Sequence, residues 1–318
     1  MTEEFDVGFL WDAEVEWDRE DPFGGDRSKD FAKYTELGHD EGLKVYIAKY
    51  KWYNGGKLEK AFYWNGNEWE KVENIELDVV YDKFKFDRET RELKKEIFED
   101  VGSVNNPELE EICKDKLQTY EHFPELIAET RTATLENASK MLEKYGMFVF
   151  KPRYGFAGHG VEIIEKLDDF EEPDEPEDFI IQRFIPTDGY PPWGVEGPHD
   201  LRTIVINGEI QNGNYVRVPD EGLISNISRG GNQKYISRDE LPDEVVDIIK
   251  TIKEEFEEYQ PAIFSVDIMF DEELNPWVVE LNSKPGTYYH HEVKEKEKEI
   301  PKIKNILKML KERAEASK

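Results

Sequence analysis

FSVDIMFDEELNPWVVELN, residues Phe264–Asn282, reads as strand, turn, strand. Two apolar-rich runs, Phe264–Phe270 and Trp277–Asn282, flank the polar turn Asp271–Pro276. A hairpin centred between Glu273 and Leu274 sets Asp267 directly across from Glu280. Side chains alternate along a strand, so Glu280 and Asn282 share a face and Asp267 joins them. The opposite face carries Phe264, Val266, Ile268, Phe270, Trp277, Val279 and Leu281, all apolar. A one-residue slip would bury the acids and expose that row, so the register is strongly specified. Two carboxylates and an amide oxygen converging on one face need a cation, since otherwise the carboxylates repel and one must keep its proton. An all-oxygen set suits Mg²⁺ or Mn²⁺, not zinc. By spacing alone the same residues also fit the solvated outer face of an antiparallel sheet.

Working upstream, FVFKPRYGFAGHGVEII (Phe148–Ile164) reads as strand, lysine, glycine-rich loop, strand. Gly155, Gly158 and Gly160 let backbone amides approach an anion, and Lys151 at the strand end adds a point charge. No Gly-Lys-Ser/Thr follows, so this is not a Walker A loop. It runs strand to strand, which excludes a dinucleotide fingerprint. A plain hairpin with a flexible loop is the other reading. Between the two segments, Arg202, Arg217 and Arg229 fall within 28 residues, in a chain with only 12 Arg against 30 Lys. Asn226 and Gly230-Gly231 lie beside the last. Guanidinium forks suit carboxylates and phosphates, and ordinary surface ion pairs use them too.

The rest of the 318 residues sets bounds. Acids outnumber bases 72 to 42, a net charge of −30. Such a surface repels nucleic acid and anionic membranes. Hydrophobic residues make up 38% and aromatics 13%, enough for a true core. The single cysteine, Cys113, excludes an intramolecular disulfide framework and a multi-Cys zinc site. No apolar run reaches membrane-span length, and the acidic start MTEEFDVGFLWD is unlike a signal peptide, so a cytoplasmic location is expected. The first third reads as open α/β: strands near Val7–Trp11, Lys44–Tyr50 and Leu77–Tyr81, and a hairpin Ala61–Trp64/Glu68–Val72. Ser28 is the expected cap of a helix reaching Asp40. Pro107 opens a helix expected over Glu108–Tyr120, capped by Asn106. Asp168–Asp178 is a loop or a short acidic helix. Asn207-Gly208 marks a two-residue hairpin, and Ile300–Ala316 a closing helix.

In order and spacing these segments resemble the ATP-grasp superfamily of carboxylate–amine ligases over residues 104–290, in its glutathione synthetase and RimK-type (ribosomal-protein glutamate ligase) branch. Val104–Pro107 with Asp115–Thr119 resembles the entry helix carrying a first ATP lysine, Lys116. Phe150-Lys151-Pro152 and the glycine loop resemble the second lysine and the phosphate-covering flap. Ile180–Ile185 resembles the hinge strand that holds adenine, with Gln182 where an acid is common, followed by Phe184 and Ile185. Asp188 is the candidate for the ribose, ahead of an inserted Gly189–Trp193 loop. Asp200-Leu201-Arg202, Arg217 and Ser225–Gly231 resemble that branch's arginine segments, and Val266–Ile268 with Glu280–Gly286 its magnesium strands.

The resemblance implies an α/β (α+β) ATP-grasp fold. Its parts would be a leading α/β domain (1–104), a central lobe with the flap (105–185) and a C-terminal lobe with the magnesium site (186–318). It implies ATP and Mg²⁺ (or Mn²⁺), the ion held by Asp267, Glu280 and Asn282. Lys116 and Lys151 would contact phosphates. Arg202 and Arg217, with Asn226 and Arg229, would serve an acyl phosphate and the oxyanion that follows it. The expected partners are a carboxylate substrate and an amine co-substrate, an amino acid or peptide, with no nucleic acid or membrane. Relatives are often homo-oligomers. A precursor-peptide-modifying ligase and a non-catalytic nucleotide-binding scaffold are the alternatives on the same fold.

Overall fold

The computed structural model describes residues 4–12, 15, 17–155, 159–187, 193–195, 199–218, 232–287, 289 and 296–317. The first sheet is built on β1 (Phe5–Trp11), a run buried on both faces. β1 pairs in parallel with β2 (Leu43–Lys49) on one side and β6 (Val79–Asp82) on the other. β3 (Tyr53–Asn54), β4 (Lys57–Trp64) and β5 (Trp69–Glu76) extend it as antiparallel strands, in the order β3-β4-β2-β1-β6 with β5 on β4. Helix α1 spans Gly25–Asp40 and so begins three residues before the Ser28 expected as its cap. The cause is Asp21, whose carboxylate accepts the amides of Gly24 and Gly25 at 3.1 and 3.0 Å. Ser28 bonds the same carboxylate from inside the helix. Helix α2 (Arg91–Asp100) follows β6.

The expected single helix over Glu108–Tyr120 is two helices, α3 (Pro107–Lys114) and α4 (Lys116–His122). Asn106 caps the first as expected, accepting the Glu108 amide. Asp115 takes an extended conformation between them and caps the second, accepting the amides of Leu117 and Gln118. β7 (Thr130–Thr132), helix α5 (Leu135–Tyr145), β8 (Phe148–Pro152), β9 (Glu162–Ile164) and β10 (Phe179–Arg183) form a second unit. Its sheet order is β7-β10-β8-β9. β8 and β9 flank the glycine loop as a hairpin, Phe150 opposite Glu162. The acidic 168–178 segment holds two short 3₁₀ turns.

A third sheet has the order β14-β13-β11-β15-β16, with β12 on β11. Its strands are β11 (Asp200–Ile206), β12 (Glu209–Ile210), β13 (Asn214–Val218), β14 (Asn232–Ile236), β15 (Ile263–Phe270) and β16 (Pro276–Asn282). The β11–β12 hairpin turns at Asn207-Gly208, both at positive φ as a two-residue turn requires. One face of the sheet packs Phe264, Val266, Ile268 and Phe270 against Val245, Ile248 and Ile252 of α6 (Asp243–Glu255) and against α3. Cys113 is buried there. The closing helix α7 (Lys296–Ala316) places Ile303, Ile306, Leu307 and Leu310 in one core cluster with Phe5, Val7 and Phe31 of the first unit.

The β15–β16 register sets Asp267 opposite Glu280, as the sequence indicates. A bulge between Asp267 and Ile268 then shifts the pairing, so Ile268 faces Val278 and Met269 faces Trp277. The apolar row is corrected accordingly. Val278 is buried in the core, whereas Trp277 and Val279 are only half-buried. The Trp277 indole N–H instead donates to Asp271 at 3.0 Å.

Candidate active site

Four strands of the third sheet carry one lateral row of polar side chains. Tyr215 on β13 pairs with Arg202 on β11, Arg202 with Asp267 on β15, and Asp267 with Glu280 on β16. Arg217 and Asp200 occupy the adjoining row, and Asn282 lies opposite Ser265. Arg202 grips Asp267 with both fork positions, Nε to Oδ1 at 2.7 Å and Nη2 to Oδ2 at 2.5 Å. Arg217 adds a contact to Asp267 Oδ2 at 2.6 Å and is itself held by Asp200. Burial pushes the Asp267 carboxyl up, but the two guanidiniums outweigh it and hold it at about 2. Arg202 and Arg217 are correspondingly locked as cations.

The lysines approach from α4 and from β8 of the second unit. Lys116, the first residue of α4, donates to the Gly155 carbonyl at 2.8 Å and stands 3.7 Å from Glu280 Oε1. Lys151 on β8 donates to the Gln182 amide oxygen at 2.8 Å, and the Gln182 amide nitrogen donates to Thr130. Burial first, then the nearby charge of Lys116, lower the Lys151 ammonium to about 8. The Gln182 side chain is therefore a buried link between Lys151 and β7. Phe184 and Ile185 continue the chain past β10, both half-buried. The base of the glycine loop is clamped. Arg153 forms a two-pronged pair with Asp115 at 2.6 and 2.5 Å, and the Tyr154 hydroxyl donates to the same carboxylate at 2.9 Å. Gly160 sits at φ +69°, and a Cβ there would press on Pro152 at 3.2 Å. Of the residues singled out in the sequence, the structure brings together Lys116, Lys151, Gly155, Arg202, Arg217, Asp267, Glu280 and Asn282. Gly158, Asp188, Asn226 and Arg229 lie outside the described residues.

Four cations, Lys116, Lys151, Arg202 and Arg217, thus face three carboxylates, Asp200, Asp267 and Glu280. The site is locally positive in a chain of net charge −30, which suits a polyphosphate. No cluster of three or more His, Cys, Asp or Glu side chains forms a metal cage among the described residues. Glu280 and the amide oxygen of Asn282 fit a hard cation that takes its remaining ligands from phosphate and water, and Asp267 would join them only by exchanging a guanidinium contact, since both its oxygens accept from Arg202 and Arg217. Glu280 is the accessible member, its side chain 32% exposed with Lys116 its loose neighbour.

Sequence reading missed what anchors this site. The segment after Asn282 is tied at successive residues to the N-terminal part of the chain. Asn105 donates to the Ser283 carbonyl at 2.6 Å, Lys83 to the Pro285 carbonyl at 2.9 Å, and the Tyr34 hydroxyl to the Thr287 carbonyl at 3.2 Å. Lys284 reaches Asp82 at 2.9 Å and Glu110 at 2.8 Å. Lys94, only 2% exposed, completes the buried quartet by pairing with the same two acids. The Lys284 amide also donates to Asn282 Oδ1 at 2.9 Å, orienting that side chain. The only sequence signal was Lys284 inside Asn282–Gly286, where its charge has no local partner. His199, just before β11, is fully buried and stacked on Phe270.

Comparison with known proteins agrees with this geometry. Residues 113–288 match the family described as the ATP-grasp domain. No curated protein sequence matches. Among solved structures, D-alanyl-alanine synthetase A from Vibrio cholerae O1 biovar eltor is 13% identical with a TM-score of 0.64, 99% of each chain being covered. A RiPP-associated ATP-grasp ligase from Chryseobacterium gregarium, solved with ADP and a leader and core peptide, is 14% identical with a TM-score of 0.63 and 97% of each chain covered. A RimK domain ATP-grasp protein from Sphaerobacter thermophilus is 13% identical with a TM-score of 0.59, covering 96% of this chain and 99% of that one. No helix among the described residues is long and apolar enough to cross a membrane. With the matched domain spanning both lysines and the acidic hairpin, the chain belongs to the ATP-grasp family of ATP-dependent carbon–nitrogen ligases.

Proposed function

We propose that this ligase joins an amino acid to a carboxylate of a peptide, protein tail or small metabolite through an acyl phosphate. The carrying observation is the four-cation, three-carboxylate row between the glycine loop and the β15–β16 hairpin. Lys116 and Lys151 bind and orient the phosphates of ATP. Glu280, Asn282 and Asp267 would hold Mg²⁺, which neutralises charge on the transferring phosphoryl group when bound. A substrate carboxylate oxygen attacks the γ-phosphorus and the bond to ADP breaks. Arg202 and Arg217, fixed by Asp267 and Asp200, then stabilise the acyl phosphate and the oxyanion formed as the amine adds. Phosphate departs and the amide remains. The Arg153–Asp115–Tyr154 clamp holds the loop base while the loop excludes water, to which acyl phosphates are labile.

The test is ADP and phosphate release with Mg-ATP over a panel of amino acids, dipeptides and glutamate-rich peptides, with Asp267→Ala as blank. Turnover with one acid–amine pair supports the reading and names its class. ATP binding without turnover on any pair would favour the scaffold reading. The likeness to the peptide-bound RiPP-associated ligase supports a second reading, action on a dedicated precursor peptide. Product mass separates the two, since a macrocyclised peptide loses one water and gains no residue.

A further inference from the structure

We propose that Lys284 is a positioning residue that sets the affinity of the β15–β16 hairpin for Mg²⁺ from outside the ligand set. This rests on the ligase reading above and concerns how one of its metal oxygens is held. Asn282 ends β16, and its Oδ1 accepts the backbone amide of Lys284 at 2.9 Å. An N–H can only donate, so the oxygen of the Asn282 amide, not its nitrogen, occupies that place. An amide oxygen has two lone pairs, and this turn uses one of them. The other is left for a cation. The direction of that oxygen therefore depends on where the Lys284 backbone lies.

That backbone is pinned from elements remote in sequence. The Lys284 ammonium has three hydrogens and meets three acceptors: the Asp82 carboxylate at 2.9 Å, the Asp82 carbonyl at 2.9 Å and the Glu110 carboxylate at 2.8 Å. Asp82 ends β6, and Glu110 lies on α3. On either side of Lys284, Asn105 holds the Ser283 carbonyl and Lys83 the Pro285 carbonyl. Asn105 also pairs with Ile263 at the start of β15, accepting its amide at 2.8 Å and donating to its carbonyl at 2.9 Å. One end of the hairpin is thus closed by side chains of the preceding segment. The turn at Asn282 needs only a backbone N–H two residues on, which any residue but proline supplies. Burying a lysine between two acids costs desolvation that an apolar side chain would avoid. The Lys284 side chain is nonetheless 15% exposed, and its partners Asp82 and Glu110 are 5% and 1% exposed. An apolar side chain packs in several ways, whereas an ammonium with three acceptors takes one position. Direction is what the ion pairs add, and the atom they direct is the Asn282 oxygen.

Two doubly substituted chains separate this role from support of the fold. Lys284→Met/Glu110→Gln and Lys94→Met/Glu110→Gln each remove one lysine and the same acid from the buried quartet. Each leaves one lysine paired with Asp82. They differ in whether residue 284 keeps its anchor. Mn²⁺ is titrated into the full chain with ADP present, the free ion being read from its EPR signal, and ADP alone is the blank. The Lys284 chain should bind Mn²⁺ about tenfold more weakly than wild type, the lower end of the cost of losing a group that orients a metal ligand, and the Lys94 chain should stay within about twofold. In turnover, the Mg²⁺ concentration for half-maximal ADP release should rise by the same factor in the Lys284 chain alone. Lys284→Met/Asp82→Asn leaves Lys94 with Glu110 and repeats the test if the first chain does not fold. Equal Mn²⁺ affinity in the Lys284 and Lys94 chains, both weakened or neither, would overturn the assignment and leave the ligase reading standing. If the wild-type chain with ADP takes up no Mn²⁺ beyond the blank, the ligase reading fails at its metal site and this assignment falls with it.

Discussion

Lys116 bridges two parts of the molecule that share no strand: its ammonium lies 2.8 Å from the Gly155 carbonyl and 3.7 Å from Glu280. A cation held this loosely can exchange its carboxylate neighbour for a phosphate oxygen without leaving its place.

Glu280→Ala and Lys116→Ala should therefore each lower ADP release on the order of 100- to 1000-fold, the scale of a lost electrostatic stabiliser. Glu280 is one-third exposed at the end of a well-packed strand, so its truncation should leave circular dichroism and melting nearly unchanged. A fully active Glu280→Ala enzyme would remove this residue from the metal assignment.

Asp267 should behave differently although it stands directly opposite. Its carboxylate is the shared counter-ion of Arg202 and Arg217, and Asp267→Asn leaves both guanidiniums under-compensated. Breaking a buried ionic group of this kind costs about 3–5 kcal/mol, or on the order of 10 °C in melting temperature for a chain this size. The acid side follows the same logic. Because the folded carboxyl is held at about 2 against an ordinary 3.8, its stabilising contribution is full above pH 4 and is lost as pH falls toward 2. Equal melting of the Asp267→Asn and Glu280→Ala variants would contradict this division of labour.

Lys151 gives the binding of ATP a pH signature. Its ammonium is lowered from 10.5 to about 8 by burial and by Lys116. Below pH 8 it is charged and ready for phosphate, so this residue makes affinity level there. Above pH 8 binding must first restore the proton, and ATP affinity should fall by up to about tenfold per pH unit. Titrations from pH 6.5 to 9.5 would show the break, and Lys151→Met should lack it. Folding stability moves the opposite way. The unfolded lysine keeps its proton to 10.5, so this residue's contribution improves as pH rises from 8 toward 10.5.

The buried quartet Asp82, Lys94, Glu110 and Lys284 couples the first sheet to the β15–β16 hairpin. Lys94→Met leaves two buried acids to share Lys284 alone and should cost about 3–5 kcal/mol. Adding Glu110→Gln removes one of the uncompensated charges and should recover part of that loss, a non-additivity readable in chemical denaturation. Strict additivity of the two substitutions would mean that Lys94 and Glu110 do not share a charge balance.

What the sequence revealed and what it hid follow one physical line. The face-to-face Asp267–Glu280 pair was legible because strand alternation and a polar turn fix a register locally. The bulge beside Asp267 was not, because one extra residue leaves the same apolar and polar letters in place. It showed only as the burial of Val278 instead of Val279. The split at Asp115 was equally hidden, with neither Pro nor Gly to mark it. Its carboxylate caps α4 while holding Arg153 and Tyr154, partners some forty positions away. Lys284 was visible as a charge, but Asp82, Lys94 and Glu110 lie on three other elements. Patterns that repeat along one strand or helix can be read from neighbours, whereas ion pairs that join units cannot.

Helix α7 carries a consequence for how the polypeptide is made. Phe5 and Val7 of β1 share a core cluster with Phe31 and Leu37 of α1 and also with Ile303, Leu307 and Ala314, so the face of the first sheet that α1 begins to cover is completed only once α7 has left the ribosome. Domains commonly close as they are synthesised, N-terminal parts first. Here β1 meets α1 at once, but its core is completed only by α7, far along the chain. During translation the part of that face which α1 leaves uncovered is therefore apolar and open, a natural client surface for chaperones.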